Sequence, residues 1–88
     1  MNDADVDALR VEDGVGPVAV VTRMLGRTLA RGRRGRLGED GRLRLWDEGR
    51  LVFEADGGRV TEVRAPAGNV DHWTVVLADV PLDDPADR

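Results

Sequence analysis

His72 is the only imidazole in the chain, and it stands between Asp71 and Trp73. A carboxylate beside an imidazole is half of a general acid–base pair. Neighbouring residues of a strand point to opposite faces, so the carboxylate serving His72 has to come from elsewhere, with Glu54 and Glu62 as candidates. Partners for nucleophilic chemistry are scarce. With no Ser, Cys or Tyr, only Thr22, Thr28, Thr61 and Thr74 offer a hydroxyl, and none lies in a nucleophile-elbow context. One His and scattered acids, without HxH or HExxH spacing, are a poor metal-ligand set, and the lack of Cys excludes a thiolate cage. Gly14-Val15-Gly16-Pro17 is glycine-rich but matches neither GxGxxG nor a P-loop, and the chain has no Lys for a phosphate loop. No catalytic, cofactor-binding or metal-ligating residue is assigned, no cofactor is expected, and an enzyme is the less favoured class.

Charge is the stronger signal. Residues 17–45 hold eight Arg against Glu39 and Asp40, a net of +6, whereas residues 46–88 carry −6 and residues 1–16 carry −4. Arg23, Arg27, Arg31, Arg33, Arg34 and Arg36 form a basic segment of the kind that grips phosphates through bidentate guanidinium contacts. The overall charge of −4 and the lack of an aromatic RNA-binding pattern weigh against nucleic acid and favour a basic face met by acidic segments of this chain or a partner. All thirteen basic residues are Arg, which reads mainly as the coding bias of a GC-rich genome. Trp46 and Trp73, two of the three aromatics, are the other candidate contact residues, because exposed tryptophans anchor protein interfaces.

The elements that must position these groups are punctuated by glycine. Glu39-Asp40-Gly41-Arg42, Asp47-Glu48-Gly49-Arg50 and Asp56-Gly57-Gly58-Arg59 each fit a three-residue hairpin loop closed by a left-handed glycine. Between them lie strand-length runs, Leu43–Trp46, Leu51–Glu54 and Val60–Val63, which predict an antiparallel meander. Leu43 with Leu45 and Leu51 with Phe53 form the dry side of the meander, the wet side receives Arg42, Arg44, Val52 and Glu54, and Arg44 and Glu54 are placed to meet across strands. A last strand, His72 or Trp73 to Val80, is apolar on both faces and so is either central or covered, for instance by a second copy.

Val15 to Gly32 reads two ways. Val18, Val21, Leu25 and Leu29 recur at helical spacing, with Arg23, Arg27 and Arg31 opposite. Gly26 and the β-branched run Val18, Val20, Val21, Thr22 argue for strand. The arginine spacing favours the helix. The expected fold is therefore α+β: one amphipathic helix over about residues 17–31 packed on a meander of about four strands, with an all-β barrel or roll as the alternative.

Residues 1–8 and 81–88 read as flexible acidic tails around a single small domain at 9–80. A core drawn from so few residues, without disulfides, is marginal, which favours self-association. No apolar stretch reaches the roughly 20 residues of a membrane span, and the acidic N-terminus is unlike a secretory signal, so a cytoplasmic chain is expected. The functional expectation is a non-enzymatic protein-interaction module or accessory subunit that self-associates. The alternatives are a nucleic-acid-binding protein using residues 23–36 and a small enzyme or ligand-binding protein with a pocket between helix and sheet near His72.

Overall fold

Extended chain dominates from Val18 onward, as the Val-rich composition favours. The structure is a computed structural model and describes residues 3–78. Its elements are helix α1 (Asp3–Arg10) and strands β1 (Val18–Thr22), β2 (Thr28–Gly32), β3 (Arg34–Leu37), β4 (Arg42–Asp47), β5 (Arg50–Asp56), β6 (Val60–Arg64) and β7 (Trp73–Leu77), with a 3-10 turn at Gly57–Arg59. One sheet has the order β2-β1-β7-β6 and the other β3-β4-β5. All pairings are antiparallel except β1 with β7, whose parallel register runs from Val18↔Trp73 to Thr22↔Leu77.

The helix expected over 17–31 is instead the β1–β2 hairpin. Four of five residues at Val18–Thr22 are β-branched, and Gly26, at φ 66°, supplies the left-handed turn residue that a helix interior penalises. Burial settles the outcome: β1 lies between two strands and buries residues on both faces, Val18 and Val20 on one and Ala19 on the other. The helical pattern had Leu25 and Leu29 buried, yet they are 69% and 41% exposed.

Helix lies elsewhere, at Asp3–Arg10, within a segment that composition reads as a tail. Its Val6 and Leu9 are three residues apart, Val6 and Ala8 pack against the core, and Leu9 is fully buried. The C-terminal tail at 81–88 lies outside the described residues.

Of the expected meander the β4–β5 pairing holds and then the ladder breaks, while Arg34–Leu37, too rich in glycine and charge to read as a strand, adds β3 on the other side of β4. Gly41 and Gly49 take positive φ, 83° and 80°, as the turns require. The β4–β5 turn is tighter than expected, with Asp47 paired to Arg50 and only Glu48 (φ 54°) and Gly49 between them. The third glycine turn is no hairpin. The Asp56 carboxylate accepts a hydrogen bond from the Gly58 amide at 2.8 Å, and the 3-10 turn carries the chain to the other sheet, where β6 pairs β7 rather than β5. A register slip opposite Leu45 and Trp46 leaves Val52 as an extra residue in β5, so Phe53 packs inward while Leu51 and Val52 are 51% and 48% exposed. Leu51 and Phe53 thus do not share a buried face.

Arg33 alone separates β2 from β3, so one bent stretch serves both sheets, and Val15 bridges Gly35 across the bend. The crossing is close: a Cβ on Gly16 would fall 1.7 Å from the Arg33 carbonyl oxygen. Helix α1 packs on β3 and on β6 and so spans the two sheets. The core between them comprises Leu9, Val15, Val18, Val20, Leu37, Leu43, Leu45, Ala55, Val63, Val75 and Leu77. The result is a mostly β fold of largely antiparallel sheets with one short helix, roughly the expected α+β class but with the helix minor. Among the described residues no helix is long and apolar enough to cross a membrane.

Candidate functional site

The β1–β2 hairpin ends in the five residues Arg23-Met24-Leu25-Gly26-Arg27. Thr22 closes the loop from below. Its amide donates to the Arg27 carbonyl at 2.8 Å, its hydroxyl accepts from the Arg27 amide at 3.0 Å, and its carbonyl accepts from the Gly26 amide at 3.1 Å. The Arg23 amide donates to the Leu77 carbonyl at 2.9 Å, which fastens the base of the tip to the end of β7. On this frame Met24 is 82% and Leu25 69% exposed, the two highest values among the exposed large apolar residues. Three others, Leu29, Leu51 and Val52, lie on β2 and β5, strands that pack against each other.

The arginines of 23–36 do not form one stripe. Arg23 and Arg27 flank the tip and Arg31 lies on β2. Arg33, at the bend, pairs with Asp47 at 3.4 Å and Glu48 at 3.5 Å. Arg34 donates to the Asp13 carbonyl and Arg36 to the Val11 carbonyl, tying β3 to the loop after α1. Among the described residues, the arginines with no side-chain hydrogen bond or ion pair are Arg23, Arg27, Arg31 and Arg50. The basic segment is therefore partly neutralised by this chain, and its uncommitted charge lies on the β1–β2 hairpin.

The tryptophans are not brought together. Trp73 opens β7, half-buried against the core, opposite Val18. Trp46 is half-buried on the outer face of β4, opposite Arg34, and lines a shallow depression with Glu12, Asp13, Arg34 and Arg36. The same outer face carries an ion-pair ladder. Arg44 meets Glu54 at 2.8 Å, the cross-strand pair the sequence predicts, and also Asp40 at 2.6 Å, while Arg42 reaches Glu54 at 3.6 Å. Hydrogen bonds from Arg44 hold the Asp40 and Glu54 carboxyls below the ordinary carboxylate range, and the same bonds raise Arg44. Glu62 is held low first by its hydrogen bond from Arg64, with a smaller contribution from the charge of Arg23.

His72 lies in a small depression with Asp71, Pro17, Val18, Ala19, Arg31 and Gly32, and no helix borders it. Its Nδ1 is 3.4 Å from Asp71 Oδ1, a long contact to a nearly fully exposed carboxylate. Glu54 is committed to Arg44 and Arg42, and Glu62 to Arg64, so neither is the base partner that acid–base chemistry at His72 requires. Among the described residues no group of three His, Asp or Glu is placed to hold a metal ion.

Sequence patterning missed Met24 and Leu25. The signal was Gly26, which as a turn glycine puts both residues at a loop tip instead of on a buried helix face. No family model, no curated protein and no solved structure matches the chain.

Proposed function

We propose that the protein is a small non-enzymatic interaction module or accessory subunit that docks other protein surfaces, a second copy included, through the Arg23–Arg27 hairpin tip. One observation carries the reading: Met24 and Leu25 are adjacent, highly exposed and flanked by two arginines that make no side-chain hydrogen bond or ion pair among the described residues. Burying a side chain of this size contributes about 1.5–3 kcal/mol, which makes such residues natural anchors. The last strand, which the sequence offers as a self-association face, is a less suitable site. β7 lies between β1 and β6, Val75 and Leu77 are fully buried, and Val76 on the opposite face is only 5% exposed.

The test is the M24S/L25S variant against the parent chain. Light scattering at micromolar concentration and chemical cross-linking should show the parent associating and the variant, with an unchanged far-UV spectrum, remaining monomeric and uncross-linked. A folded variant that keeps the parent's associations overturns the assignment. A nucleic-acid reading would draw on Arg23, Arg27 and Arg31. It predicts steep loss of affinity between low and physiological salt, whereas an apolar anchor is nearly indifferent to salt.

A further inference from the structure

β1 and β7 run parallel and finish level with each other, at Thr22↔Leu77. The chain leaving β7 therefore starts at the same end of the sheet as the tip leaving β1, and the Arg23–Leu77 hydrogen bond joins the two exits. Beyond Ala78 the sequence runs Asp79-Val80-Pro81-Leu82-Asp83-Asp84-Pro85-Ala86-Asp87-Arg88, four carboxylates with two aliphatic residues among them. The tip presents the complement, two arginines that make no side-chain hydrogen bond or ion pair among the described residues, around the exposed Met24 and Leu25. Reach is no obstacle, since ten extended residues span up to about 33 Å.

From this juxtaposition we infer that the basic, apolar tip is a docking surface for an acidic segment with aliphatic anchors, and that residues 79–88 of the same chain are its resident occupant. The complementarity is one of sequence: Val80 and Leu82 match the apolar pair Met24 and Leu25, and the carboxylates of Asp83, Asp84 and Asp87 match the charge of Arg23 and Arg27. An incoming partner displaces this segment, so its affinity is lowered by the fraction of chains already self-occupied. The inference rests on the tip being a protein-docking element and adds what fills it.

The cysteine-free sequence allows a clean test. The full chain with the single substitution Ala86→Cys carries a nitroxide label, and amide signals are compared with the label oxidised and reduced. Met24, Leu25 and Gly26 should lose most of their intensity, and the Ala67–Val70 turn, which precedes the far end of β7, should keep it. Adding D83N, D84N and D87N, or raising salt to 1 M, where screening acts within about 3 Å, should restore the tip signals. Unbroadened tip signals overturn the inference, as does broadening that survives both charge removal and salt. Mixing isotope-labelled chains without nitroxide and unlabelled chains with it separates the alternative. Broadening in that mixture means the occupant is another copy, and the same-chain assignment fails. Intermolecular broadening would itself be association through the tip and so fails only the same-chain assignment, whereas the docking reading fails only if folded M24S/L25S keeps the parent's associations.

Discussion

Replacing Leu45 with Ala should be among the most damaging single changes. Leu45 is fully buried at the middle of β4, and its partner across the β3–β4 ladder is Gly35. Leucine-to-alanine changes in cores cost about 2–5 kcal/mol, and the cost grows with the cavity that neighbours fail to fill. Gly35 has no side chain to move into the space, which places Leu45→Ala in the upper part of the range, about 3–5 kcal/mol. The neighbour offers a second measurement. A Cβ added to Gly35 would lie 2.9 Å from Val18 Cγ1 and 3.4 Å from Leu45 Cδ1. Gly35→Ala alone overpacks the site and should cost about 1–3 kcal/mol. In the Leu45→Ala background the contact with Leu45 disappears and the new methyl enters the cavity, while that with Val18 remains. The double variant should therefore lose less than the sum of the singles, by about 1 kcal/mol. Urea unfolding followed by tryptophan fluorescence measures all four corners of the cycle, provided the denaturant slopes agree. A loss below about 1 kcal/mol for Leu45→Ala, or strict additivity in the cycle, would refute the packing described between the sheets.

Leu25→Ala, by contrast, should change stability by no more than about 0.5 kcal/mol in the same assay, because the side chain is 69% exposed; a loss near 3 kcal/mol would restore the helical reading of this segment. Gly49→Val should cost about 1 kcal/mol or more, with left-handed strain as the sole cause, since no atom lies within 4 Å of the added Cβ; an unchanged denaturation midpoint would contradict the turn geometry. Asp40 and Glu54 have folded pKa values below their unfolded ones, so their contribution is complete above the unfolded carboxylate pKa of about 4 and is lost as pH falls through the folded values. Stability should therefore decline in acid below about pH 4, and D40N/E54Q should flatten that decline while leaving its onset from other carboxylates; identical acid limbs for variant and parent would remove the ladder from the account.

The sequence makes the β4–β5 hairpin and the Gly41 turn readable because turn chemistry is local, whereas β3, with Gly35 and two arginines, carries no strand pattern of its own. Gly41 and Gly49 answer to the backbone at their own positions, and the Arg44–Glu54 pair follows from strand register alone. The apolar character of Trp73–Leu77 on both faces likewise marks a strand with neighbours, and β7 has one on each side. Patterning fails where tertiary context decides. The arginine recurrence at Arg23, Arg27 and Arg31 mimics a helical face, yet β1 is extended because it is flanked by β2 and β7, a fact no local window contains. The third glycine turn differs from the other two in its Gly57-Gly58 pair. At Gly57 a Cβ would lie 2.4 Å from Leu37 Cδ1, so that glycine serves close packing instead of a hairpin. Helix α1 escaped notice because the acids around Val6 and Leu9 lower the mean hydropathy without disturbing their spacing. Of the candidate contact residues, Arg23 and Arg27 lie at the tip, whereas Arg33, Arg34 and Arg36 hold the bend and the loop after α1 in place.

The parallel pairing of β1 with β7 also dictates an order of assembly. The β3-β4-β5 hairpins close over a few residues, but β1 meets β7 only after the chain from Thr22 to Trp73 has been gathered in, a far larger entropic cost. Until then Val18–Thr22 is an edge strand, rich in valine, uncharged and free of proline, which is the profile of a template for intermolecular pairing. The last strand is thus the element that retires this hazard. Cleavage in the exposed Ala65–Asp71 stretch would leave β7 held only by its ladders to β1 and β6, and loss of β7 from such a nicked chain would open the edge of β1, with aggregation the expected fate instead of a smaller folded protein.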